Sequence, residues 1–223
     1  LYYNDYEANE TTLTKTFDLR YRDEDVRPQI DAIWSKAYNT IASANSVLDN
    51  ISGHDFAILP RIRGEALTVR AFLHFDLLRL FAPNIERGDE QAIPYVEHFS
   101  ISPVERSTVR EVYERIVADL TEAYGLLRDA QPASGRTPEE LYVSQYAAAA
   151  LLARVCNWGG DHETAERYAL EALKGPFAFI REEQIKNLFL GYTARTECIW
   201  GLHAPDMYLD VRSRLYPTRL TDD

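Results

Sequence analysis

Long apolar runs are missing from this sequence of 223 residues. The longest, Ala147 to Ala153, stops at Arg154, far short of the roughly 18 residues that cross a bilayer. Positive charge is also scarce: 24 Lys+Arg stand against 35 Asp+Glu, a net charge of −11. That balance argues against nucleic acid or an anionic membrane surface as partner, since both carry the same sign. Cysteine is limited to Cys156 and Cys198, which match no metal or redox spacing and read as two small buried hydrophobes. A disulfide between them stays open if the compartment is oxidising. The one methionine is Met207, and the chain opens Leu1-Tyr2-Tyr3. A processed or trimmed product is expected, with any signal peptide or lipid-bearing cysteine upstream. Catalytic signatures are missing too. There is no His-Glu-x-x-His, no Gly-x-x-x-x-Gly-Lys, no Gly-x-Ser-x-Gly and no visible Cys–His dyad, so no catalytic residue, metal or cofactor is predicted.

What is present is the composition of a folded domain, 46% hydrophobic and 26% charged. The period is helical almost throughout residues 29–175. Trp34, Tyr38, Ile41, Asn45 and Leu48 recur at steps of three and four, and Ser52-Gly53 ends that helix. A second helix is predicted from about Arg61 to Ala82, with Leu67, Ala71, Phe75, Leu78 and Phe81 on one stripe, stopping before Pro83. Asn84 to Pro103 breaks the period and reads as an ordered loop. Thr108 and Glu111 then form a capping-box pair for a third helix carrying Val109, Val112, Ile116, Leu120 and Leu127. Gln131 to Thr137 reads as a loop. A fourth helix is predicted over Ser144 to Trp158 and a fifth from Asp161 to Lys174. Residues 1–28 form an irregular leader and 176–223 an irregular C-terminal part, in which a short helix near Glu182 to Leu190 and a strand-like run from Cys198 to Leu202 are expected.

The fourth and fifth helices resemble a tetratricopeptide repeat. Gly160-Asp161, Ala165 and Ala172-Leu173 fall at its spacing, and Leu152 and Ala153 at the matching points of the first helix. Small residues at these points let two antiparallel helices approach closely. The fold class expected is therefore all-α: antiparallel helical pairs with tetratricopeptide-like packing, long ordered loops and at most a minor strand element.

Further blocks carry a second likeness. They are Trp34-Ser35-Lys36-Ala37-Tyr38 through Ala44-Asn45, Arg63-Gly64-Glu65-Ala66, Arg70-Ala71-Phe72-Leu73-His74-Phe75, Asp76 to Phe81, Ala92-Ile93-Pro94-Tyr95, Val109 to Leu127, and Ala147 to Val155 followed by Gly160-Asp161 and Ala165 to Leu173. In this order they resemble the SusD/RagB-like family of outer-membrane nutrient-binding lipoproteins. The resemblance implies a non-catalytic protein that captures oligosaccharides and passes them to a SusC-like TonB-dependent transporter. It also implies an extracellular face, and contact with the membrane only through a lipid anchor outside this chain. Members are usually about twice as long, so a single domain over residues 1–223 is expected to be a fragment of a longer protein. The segment from Arg136 to Ala147 is longer than usual before its helix.

Sugars are gripped by flat aromatic faces beside hydrogen-bonding side chains. Trp34, Tyr38, Tyr113 and Tyr124 lie on core stripes, and Trp158 and Trp200 also read as packing residues. The aromatics outside any period, Tyr2, Tyr3, Tyr6, Tyr21 and Tyr208, are the candidate ligand contacts. Arg63, Glu65 and Arg70 read as an inter-helix ion pair, His74 as a hydrogen-bonded core histidine. Arg115 with Asp119, four apart, reads as a solvated pair. Two alternatives remain: a helical-repeat scaffold for a protein partner, and an all-α glycoside hydrolase. For the latter Asp23, Glu24, Asp25, Glu139 and Glu140 are the available acids, although adjacent loop carboxylates are usually just solvated.

Overall fold

The structure is a computed structural model, and it describes residues 15–16, 18, 20–130, 141–182 and 197–201. Helix α1 spans Arg27–Ile51, with Pro28 in its first turn where the missing amide hydrogen costs nothing. Gly53, at φ 83°, sits in the turn that follows. Helix α2, Leu59–Phe81, likewise has its proline in the first turn and stops at Ala82, whose extended backbone precedes Pro83. Helix α3, Val109–Asp129, opens on the capping box that Thr108 and Glu111 predict. Helix α4, Gln145–Gly159, is capped by Ser144 and released by Gly160 in the left-handed region at φ 84°. Asp161 accepts from the Thr164 amide at 3.1 Å and starts α5, His162–Ala172.

Each helix packs against the next in the chain, giving a row of helical hairpins. The largest core cluster includes Phe75, Leu78, Ile116, Leu120, Leu152 and Val155, all at most 1% exposed. At the α4–α5 hairpin Leu152, Ala153, Ala165 and Ala172 are buried as the repeat spacing requires, whereas Leu173 is 69% exposed. The all-α class with tetratricopeptide-like packing is the architecture observed.

Several expectations need correction. Cys198 to Gly201 are irregular, with a bend at Ile199 and Trp200, and not a strand; Leu202 lies outside the described residues. A strand needs a partner edge, and here Trp200 instead packs edge-on against Phe72 of α2, with ring centroids 5.5 Å apart. Cys156 is buried but Cys198 is only half-buried, and both are free. The one isolated strand-type pairing among the described residues is an antiparallel bridge between Gln91 and Thr108. The predicted loop Gln131 to Thr137 and the predicted helix beyond Glu182 lie outside the described residues. No helix among the described residues is long and apolar enough to cross a membrane.

Candidate binding site

Helices α2 and α3 are joined by a long excursion over residues 82–108, and the buried polar side chains Asn45, Arg70, His74 and Asp119 all bond to it. The bridge at Gln91 and Thr108 closes its base, with Ala92 N–H donating to Ser107 at 2.8 Å and Ser107 N–H to Ile93 at 3.1 Å. From there residues 92–99 run as a strap across α1, α2 and α3. Tyr38 donates to the Pro94 carbonyl at 2.8 Å, Asn45 to the Val96 carbonyl at 2.8 Å and Arg70 to the Glu97 carbonyl at 3.0 Å. Asp49 accepts from the Phe99 amide at 2.8 Å and pairs with His98 at 3.0 Å. The strap thus obtains from side chains the backbone partners that a sheet or helix would otherwise supply.

At the centre Arg70 and Asp119 form a buried two-point pair, Nε to Oδ2 and Nη2 to Oδ1, both at 2.7 Å. Tyr95 of the strap donates to the same carboxylate at 2.5 Å, and Asn45 accepts from Arg70 at 3.1 Å. Burial acts to depress Arg70, but hydrogen bonds and charge from Asp119 overcome it and hold the guanidinium above its usual pKa. Burial, reinforced by the Asp119 charge, pushes the Tyr95 phenol well up. His74 stacks on Tyr95 with ring centroids 4.0 Å apart. Its Nε2 lies 3.1 Å from the Val96 amide and its Nδ1 2.9 Å from the Arg70 carbonyl. An amide can only donate and a carbonyl only accept, so the ring is neutral with its proton on Nδ1. Burial, with the Arg70 charge, lowers its pKa to about 3.

His74 is therefore the hydrogen-bonded core histidine expected. Asp119 is not on a solvated face: it is 8% exposed, and Arg115 pairs with Glu97 at 3.6 Å instead. Glu65 pairs within its own helix with Arg61, while the inter-helix bonds run from Arg63 to Glu122 at 2.6 Å and from Arg70 to Asp119. Trp34, Tyr38, Tyr113 and Trp158 pack on the main core, Tyr124 and Trp200 on a smaller one. Of the candidate ligand contacts, Tyr2, Tyr3, Tyr6 and Tyr208 lie outside the described residues. Tyr21 is 51% exposed in the turns before α1, which are braced by ion pairs from Arg20 to Asp23 at 2.8 Å and from Lys15 to Asp25 at 3.0 Å. Asp23 and Asp25 are thus engaged with cations, and Glu139 and Glu140 lie outside the described residues.

Two apolar depressions mark the helix surfaces. One of about 350 Å³ lies on the α4–α5 hairpin, walled by Ala153, Ala172, Leu173, Phe177, Phe179 and Ile199. Another of about 260 Å³ runs between α1 and α2 past Ile33, Leu73, Leu77 and Leu80. Among the described residues no group of three His, Cys, Asp or Glu is placed to hold a metal ion. Nor, among them, is any buried ionisable side chain left without a partner; the one orphaned buried side-chain atom is Oε1 of Gln145.

Residues 2–156 match a SusD-like family described as starch-binding and associating with the outer membrane. SusD-like protein P2 of Formosa agariphila is 31% identical over 170 residues, which cover 72% of this chain and 30% of that protein. A SusD superfamily crystal structure from Bacteroides thetaiotaomicron superposes with a TM-score of 0.68 at 27% identity, over 78% of this chain and 39% of that one. A SusD-like carbohydrate-binding protein from Bacteroides vulgatus superposes at 0.64 and 26% identity, over 76% and 36%. The chain spans well under half the length of each of these proteins.

Proposed function

Since this chain belongs to the SusD-like family of outer-membrane-associated, starch-binding proteins, we propose that it is the helical portion of a protein that captures oligosaccharides without breaking bonds. In this reading the protein is lipid-anchored on the extracellular face and passes its cargo to a TonB-dependent transporter. The observation that carries the reading is the family match over residues 2–156, supported by the likeness to a carbohydrate-binding relative. The geometry is compatible with it in one further respect. The buried charges of α2 and α3, Arg70 and Asp119, are spent on one another and on the strap, which leaves them no part in acid–base chemistry.

Tyr2, Tyr3, Tyr6, Tyr21 and Tyr208 are proposed to stack on the saccharide. Calorimetry of the full-length protein with α- and β-glucan oligosaccharides tests the reading. Saturable binding with no new reducing ends on prolonged incubation is expected. The absence of binding to every glycan tried, or the release of reducing ends, would sink it. Tyr21→Ala is expected to weaken binding about fivefold or more, since a stacked ring contributes on the order of 1 kcal/mol.

A further inference from the structure

We draw no further inference here: the strongest candidate, the apolar depression on the α4–α5 hairpin walled by Ala153, Ala172, Leu173, Phe177, Phe179 and Ile199, is an unpartnered apolar face, and nothing in the structure shows what covers it.

Discussion

Asp119 accepts two hydrogen bonds from Arg70 and one from Tyr95 inside the core, and that arrangement sets what its loss would cost. Truncating a buried ion pair on one side strands the other charge, at about 3–5 kcal/mol. Asp119→Ala is therefore expected to lower the urea midpoint by most of a small protein's stability, while the double change Arg70→Met with Asp119→Leu, which removes both charges, should cost far less. A single mutant as mild as the double would show that Arg70 finds water in the native state. His74 supplies a pH dependence of definite sign. Its folded pKa, about 3, lies below the ordinary value of 6.5, so between those values the unfolded chain binds the extra proton. Its contribution is complete above about pH 6.5 and declines as pH falls towards 3. Between pH 8 and pH 5 this amounts to about 2 kcal/mol of lost stability, measurable by urea unfolding at each pH. His74→Gln should flatten the slope over that interval, and an unchanged slope would assign it to other groups. The buried, hydrogen-bonded place of His74 was legible beforehand, and that of Asp119 was not. Asp119 sits four residues from Arg115, and the local spacing hides a partner 49 residues away.

At the scale of the element, close approach of α2 and α3 depends on Gly64. A Cβ there would lie 2.7 Å from Leu127 Cγ and 3.2 Å from the Ala123 carbonyl oxygen. The leucine can move, but the helix backbone cannot. Gly64→Ala is therefore expected to cost about 1–3 kcal/mol despite alanine's better helix propensity. Gly125, in α3, has nothing among the described residues within 4 Å of such a Cβ, so Gly125→Ala should stabilise by about 0.5–1 kcal/mol. Thermal unfolding of the two variants side by side gives the comparison; equal shifts would mean the helices part to admit the methyl group. The helices were legible because their causes are local. Apolar spacing, the Thr108–Glu111 box, Ser144, Asp161, Gly160 and the prolines act within one or two turns of the residue concerned. The strap was not legible, because its bonds come from Tyr38, Asn45 and Arg70, which lie 56, 51 and 27 residues away in sequence. An interrupted apolar period around Pro94 carries no sign of which side chains will grip it. The same limit explains Cys198 to Gly201, where an apolar run reads as a strand until the absence of a partner edge is known.

Across the whole molecule, 35 acids against 24 bases leave a surface that repels itself. Many of the ion pairs are exposed, as from Arg27 to Asp31 and from Arg87 to Glu90, and such pairs contribute at most about 1 kcal/mol each. The surplus acids act over longer distances and in one direction. At 0.01 M ionic strength the screening length is about 30 Å, comparable to the length of α2, and at 0.15 M it is about 8 Å. Added salt therefore removes long-range repulsion between acids before it dissolves close pairs, and it barely reaches Arg70 and Asp119 in the core. The melting temperature is expected to rise by a few degrees as sodium chloride increases from 10 to 150 mM at pH 7.5, and to rise less at pH 5.5, where the net charge has fallen towards the sequence pI of about 5.0. Differential scanning fluorimetry at the two pH values measures both effects. A melting temperature that falls with salt at pH 7.5 would mean that the surface pairs outweigh the surplus charge, and the −11 would then no longer count as a destabilising term.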